Sequence, residues 1–231
     1  MAGPSSSTRI IASLPSMARF SFRSALRGSA RGLSTRPELT ELDVQHLAAI
    51  VGAGNAITDA SDLEPFNTDW MGKYRGESRL ALRPGSTQEV SRILAHCNAQ
   101  RLPVVPQGGN TGLVGGSVPI ADEVVLSLSR MNQILSLDER AGSLTCEAGC
   151  VLEALQEYVW ARGFTMPLDL GAKGSCQIGG NISTNAGGLR FLRYGSLRGT
   201  VLGVEAALQP VGGGLSPARG QRLICLLHLA A

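Results

Sequence analysis

The alternation of apolar and polar positions divides the chain into short elements. Residues 41–51 (ELDVQHLAAIV) carry apolar side chains at helical spacing. A short polar region follows, then the stretch DWMGKYRG at 69–76. Residues 80–84 (LALRP) predict a strand stopped by proline. Ser86 and Glu89 have capping-box spacing, in which each side chain satisfies the other's backbone N–H. That box opens a helix to about Gln100, with Val90, Ile93, Leu94 and Cys97 on one face. Residues 102–105 predict the next strand, and a glycine-rich loop begins at Pro106.

Strand, helix, strand is a βαβ unit, so this half should contain parallel pairing. Residues 123–128 predict another apolar strand, and 134–137 with 143–147 a hairpin around DERAG. Residues 151–162 predict a helix ending at Gly163, a natural left-handed cap. A second glycine-rich region spans 171–188, and 200–207 predicts a strand. No repeat is visible.

The two glycine-rich regions are the candidate chemistry. The first, VVPQGGNTGLVGGS at 104–117, has five glycines and no charge, and it follows a strand directly. A flexible linker mixes glycine with charged and polar residues and has no such neighbour. Glycine removes the Cβ that blocks close approach, so successive N–H groups can converge on an anion such as a phosphate. The loop has no lysine, which excludes a Walker-type triphosphate site. Its glycine spacing is not G-x-G-x-x-G, and Gly52-Ala53-Gly54 has Ile57 where the third glycine of that fingerprint would stand. The second region, GAKGSCQIGGNISTNAGG, repeats the composition with Lys173 as its one charge, which suggests a long ligand held from two sides, the alternative being a pair of tight-packing turns.

Composition narrows the class. With 231 residues, 43% hydrophobic and 17% charged, the chain can bury a sizeable core. No apolar run approaches the length of a membrane span. The net charge of +3 is unevenly spread: residues 1–37 hold six arginines, nine serines and no acid. That is the composition of a mitochondrial transit peptide. The body beyond it is not basic, so nucleic-acid binding is not expected. Five scattered cysteines suit buried thiols rather than a disulfide scaffold, and Cys146 and Cys150 have no second pair or nearby histidine to complete a zinc site. No metal site is expected.

PQGGNTGLVGGS (106–117), PLDLGAKGSCQIGGNISTNAGG (167–188), RYGS (193–196) and, upstream, WMGKYRGESRLALRP (70–84) together resemble the PCMH-type FAD-binding domain of the vanillyl-alcohol oxidase family. Within it they are most similar to the mitochondrial D-2-hydroxyglutarate dehydrogenases. The resemblance covers roughly 45–207 and implies an α+β fold of two α/β subdomains, the second incomplete. It divides the chain into a transit peptide (1–37), an FAD domain (38–207) and an aberrant or disordered tail (208–231).

The resemblance also implies roles. Pro106, Gln107, Gly108, Gly109, Asn110, Thr111, Gly112 and Leu113 would cradle the FAD pyrophosphate, with Ser117 just beyond. Pro167, Gly171, Ser175, Gly179 and Gly180 would line the flavin side. Thr184, Asn185, Gly187 and Gly188 would close around the ribityl and isoalloxazine parts. FAD would be noncovalent, because neither region contains a histidine and Cys176 is a weak candidate. The implied reaction is hydride transfer from a D-2-hydroxy acid to flavin, in the mitochondrial matrix, with an electron-transfer flavoprotein as acceptor. The family's substrate-binding arginines, histidines and metal lie in a C-terminal domain. No catalytic residue is assigned here, and Arg190, Arg193 and Tyr194 are the only suggestive trio.

Residues 208–231 depart from the family pattern. They contain two prolines, a triple glycine and no acid, and end in an apolar string, 223–231, without an evident partner. A frame-shifted or alternative C-terminus is expected, leaving the strand before it as an unpaired edge and the chain inactive alone. The alternative is a non-enzymatic or unstable product that binds no flavin.

Overall fold

A computed structural model describes residues 37–207 and the backbone of 224–228. The transit-peptide assignment and most of the tail therefore lie outside the described residues. Helix α1 (Glu41–Val51) starts where Thr40 caps it: the Thr40 hydroxyl accepts from Asp43 N at 3.2 Å, and Asp43 Oδ2 accepts from Thr40 N at 3.1 Å. Strand β1 (Ala56–Ile57) and helix α2 (Ala60–Asn67) follow, then β2 (Ala81–Leu82) and α3 (Thr87–Gln100). Strands β3 (Val104–Gln107) and β4 (Val124–Ser127) complete the first sheet, in the order β1-β2-β4-β3.

The expected parallel pairing is present, since β2 and β3 each run parallel to β4. The two strands of the βαβ unit are not neighbours, however, because β4 lies between them. Strand β3 also runs two residues further than its apolar pattern, so Pro106 and Gln107 belong to the strand rather than the loop. Pro106 is tolerated because β3 is an edge strand, whose outer side needs no donor. The predicted capping box is half made: Ser86 accepts from Glu89 N, but Glu89 reaches back to Gly85 N at 2.7 Å rather than to Ser86 N.

Strands β5 (Ile134–Asp138) and β6 (Ser143–Glu147) form the expected hairpin. Helix α4 (Leu152–Trp160) buries Leu152, Leu155 and Val159, and the chain turns away through Gly163 at φ +79° as anticipated. Helix α5 (Ile178–Thr184), the single turn α6 (Phe191–Tyr194) and β7 (Val201–Glu205) follow. The second glycine-rich region is thus not a continuous loop, since Gly179 and Gly180 lie in α5.

The last strand, β8 (Ile224–His228), overturns two expectations. The apolar string expected to lack a partner sits between β6 and β7, antiparallel to both, in a sheet ordered β5-β6-β8-β7. Strand β7 is consequently paired on one side rather than unpaired. Open N–H and C=O groups on β6 and β7 are a template for any extended segment that can reach them.

Each sheet has its own core. Leu47, Leu80, Leu82, Val90, Ile93 and Val124 pack under the first, and Leu144, Leu152, Leu155, Met166 and Ile178 under the second. Truncating any of these fully buried leucines to alanine would cost about 2–5 kcal/mol. Leu128 touches both clusters. Gly149 presses on it so closely that a Cβ there would meet the Leu128 carbonyl at 2.0 Å.

Candidate functional site

The first glycine segment is built from its ends. Gln107 is 3% exposed, and its amide donates to Phe66 O at 3.0 Å and Ser117 O at 2.7 Å. Asn110, in the left-handed region at φ +52°, donates to Thr68 O at 2.8 Å and Pro65 O at 3.3 Å. Its own oxygen accepts from the Ser117 hydroxyl at 2.7 Å. The last carbonyls of a helix have no intrahelical donors. Gln107 and Asn110 supply those donors for α2, and the loop is clamped at both ends. Of the polar side chains implied as cofactor contacts here, Gln107, Asn110 and Ser117 are thus engaged with the protein itself, and Thr111 is not.

What remains open is backbone. Among the described residues, the N–H groups of 108–117 have no backbone or side-chain acceptor. Water reaches the exposed residues 112–114 and 116, but the half-buried 108–111, 115 and 117 are unusual, because half-buried N–H groups are nearly always satisfied. A Cβ at Gly112 or Gly116 would meet nothing within 4 Å, so both flank open space. Gly115, at φ +70°, lies under the Tyr74 ring, which a Cβ would meet at 2.6 Å. The turn carrying Tyr74 is held by Asp69, whose carboxylate accepts from Tyr74 N at 2.7 Å.

The second segment is folded differently. Lys173 N, Ser175 N and Cys176 N all donate within a tight turn, to Leu170 O, Ala172 O and Ala172 O. Its single charge is engaged, because Lys173 lies 3.6 Å from Glu153. Gly179 N donates to Ala148 O at 2.8 Å, and a Cβ on Gly179 would meet the Ala148 Cβ at 2.7 Å. Asn185, at φ +51°, accepts from Ser196 Oγ at 2.7 Å and Arg198 N at 3.0 Å, which pins the RYGS turn. Gly188 lies on the chain after the buried Pro167: a Cβ there would meet Asp169 O at 1.8 Å. Arg190 donates to Met166 O at 2.7 Å from the same side.

The two segments meet. A Cβ at Gly109 would meet Ser175 O at 1.9 Å, and one at Gly108 would meet the Gln177 Oε1 at 3.2 Å. Thr184, Asn185, Gly187 and Gly188 lie instead against Gly180, Ser196, Arg198, Phe191 and Asp169. Two buried oxygens near the seam have no donor: Gln177 Oε1 and Asn181 Oδ1, on residues 8% and 7% exposed. Gln177, Asn181 and Tyr74 are not among the residues that the family resemblance implies. Only the amide type of the first two, inside a glycine-rich stretch, offered a signal.

The thiols of Cys97, Cys146, Cys150 and Cys176 are buried and form no disulfide. Burial pushes Cys176 up, opposed by the neighbouring Asn181 amide, and pushes Cys97 up to about 12. Cys150 is shifted down by a hydrogen bond from Cys146, against its burial. No group of three metal-ligating side chains occurs among the described residues. His46 and His96 stack at 4.3 Å, with His96 bonded to Asp43 at 2.8 Å.

An acceptor-rich anion fits this geometry. The first segment presents donors without negative side chains, and open space lies beside Gly112 and Gly116. The pyrophosphate of FAD has the matching acceptors.

Comparison with known proteins agrees. Among curated relatives, mitochondrial D-2-hydroxyglutarate dehydrogenase of Arabidopsis thaliana is 62% identical over 168 residues, covering 73% of this chain and 30% of the relative. The Bos taurus protein of the same name is 55% identical over 220 residues, covering 88% and 39%. The chain therefore spans about a third of the length of these relatives. Among solved structures, an alkyldihydroxyacetonephosphate synthase superposes with a TM-score of 0.70 at 17% identity, over 87% of this chain and 42% of that one. The 4-ethylphenol oxidase of Gulosibacter chungangensis gives 0.62 at 20% identity, over 80% and 42%. Residues 78–217 match the family described as FAD binding domain, so the chain belongs to that family and its cofactor is FAD.

Proposed function

We propose that this chain is the FAD-binding portion of a D-2-hydroxyglutarate dehydrogenase of the mitochondrial matrix. The observation that carries the reading is the run of unpaired N–H groups at 108–117, pressed against the second glycine segment. High identity to the named relatives over most of this chain supports the substrate class. Bound flavin supplies a two-electron acceptor for oxidation of the D-2-hydroxy acid to its 2-oxo acid.

The chain's own residues bind and orient. The N–H groups of 108–112 hold the pyrophosphate, while Gln107, Asn110 and Ser117 hold the loop that carries them. Ser175, Gly179 and Gly180 line the flavin side, and residues 184–188 its far end. Binding is noncovalent, which accords with the burial of Cys176 and the absence of histidine from both segments. The described residues gather no arginine and histidine cluster beside the segments, since His46 and His96 are engaged with each other and with Asp43. The chain alone is accordingly expected to retain FAD with little turnover. An electron-transfer flavoprotein is the proposed acceptor in the larger enzyme.

Gel filtration of the purified chain with FAD tests this reading. Co-eluting flavin absorbance, bleached anaerobically by D-2-hydroxyglutarate only when the rest of the enzyme is supplied, is the expected result. A colourless protein overturns the cofactor role and favours a product that binds no flavin.

A further inference from the structure

The seam between the two glycine segments holds an unusual group. Gln177 is 8% exposed, its Oε1 is buried without a donor, and neither end of its amide has a partner among the described residues. It lies against Gly108, at the start of the open donor run, with Oε1 3.2 Å and Cβ 3.3 Å from where a Gly108 Cβ would be. One helical turn on, Asn181 Oδ1 is buried and unpaired as well. A buried amide oxygen with no donor is a standing cost to the folded state. Groups that cost stability and persist are characteristic of binding sites.

Chemistry separates this place from the loop beside it. The loop offers donors, which suit a pyrophosphate that only accepts. The two buried atoms left unpaired at the seam are both oxygens, which need donors, and a pyrophosphate has none. The terminal torsion of glutamine is soft, so a half-turn of the amide brings its oxygen to a ligand at little cost. We propose that Gln177 is a cofactor-positioning residue whose amide accepts from hydroxyl or N–H groups flanking the FAD pyrophosphate, with Asn181 as its neighbour in that role. The inference rests on the FAD reading above and adds to it the residue that fixes the cofactor along the loop.

The test is Gln177→Met in the full chain, which keeps the packing on Gly108 and removes the amide. Three readouts are expected together. The cofactor-free melting temperature holds or rises, because an unpaired buried amide is gone. FAD affinity by calorimetry falls about tenfold, the size of one good hydrogen bond. Affinity for inorganic pyrophosphate is unchanged. ADP then names the donor: a parallel loss places it on the adenosine side, and unchanged ADP binding places it on the flavin side. A lower melting temperature, an equal loss for FAD and pyrophosphate, or unchanged FAD affinity each overturns the inference. If the unmodified chain binds neither FAD nor pyrophosphate, the cofactor reading itself fails, and this inference with it.

Discussion

The two glycine-rich segments have nearly the same composition and opposite structures. In 104–117 the side chains of Gln107, Asn110 and Ser117 bond inward, and the backbone N–H groups are left open. In 171–188 the backbone bonds close on themselves through a turn and α5, and the open groups are side-chain oxygens. Glycine serves open donors in one and tight packing in the other, as at Gly179 and Gly188. Composition alone therefore does not tell a cradle from a packed joint; the destination of each backbone hydrogen bond does.

That contrast can be broken most severely at the joint. Gly109→Val puts a side chain where Ser175 O stands 1.9 Å from the Cβ position, and no flexible group can yield. We expect a loss of about 3 kcal/mol or more in urea unfolding, together with loss of FAD retention. A variant that unfolds like the wild type would mean the segments do not rest on one another.

Next in size is Asn110→Ala, which removes the clamp on Thr68 and Ser117 and leaves α2 carbonyls without donors. A cost of about 1–3 kcal/mol is expected, with weaker FAD binding. Asn110→Gly keeps the left-handed backbone accessible. It should share the hydrogen-bond loss but not the strain, so it should be the milder variant.

Asp43 provides a control outside both segments. Hydrogen bonds from Thr40 and His96 hold its carboxyl below its ordinary value of 3.8. A depressed folded value stabilises above the unfolded one and is lost as pH falls through the folded one. Asp43→Ala should cost about 1 kcal/mol at pH 7, and the difference from wild type should shrink below about pH 4. FAD affinity at neutral pH should not change. A constant difference down to pH 3 would refute the linkage.

The smallest effects sharpen the contrast best. Gly112→Ala meets nothing within 4 Å, so stability should stay within about 0.5 kcal/mol while FAD affinity drops, since the methyl enters the open space. Gly180→Ala, equally uncrowded but within α5, should stabilise by about 0.5–1 kcal/mol. If Gly112→Ala binds FAD normally, the open space beside it is not the cofactor's.

Local signals were legible because they depend on neighbours in sequence. The caps at Ser86 and Gly163, the β5–β6 hairpin and the apolar face of α3 all follow from spacing. Helix α2 was missed: it is eight residues long and contains Pro65. Asp59, which caps it at Ser61 N, was the one available signal. Its C-terminal carbonyls are satisfied by Gln107 and Asn110, some forty residues away, and no local pattern encodes that.

The sequence by itself determined helices α1, α3 and α4, strands β2 to β7, the two glycine segments and the family, because periodicity, capping and ordered motifs are written in consecutive residues. Tertiary structure alone decided that β4 separates β2 from β3, that β8 enters between β6 and β7, and that Gly109 meets Ser175. It alone left the amide of Gln177 without a partner. Strand order and hydrogen-bond satisfaction depend on which distant groups are brought to an open edge or an open donor, and that is settled only when the chain has closed on itself.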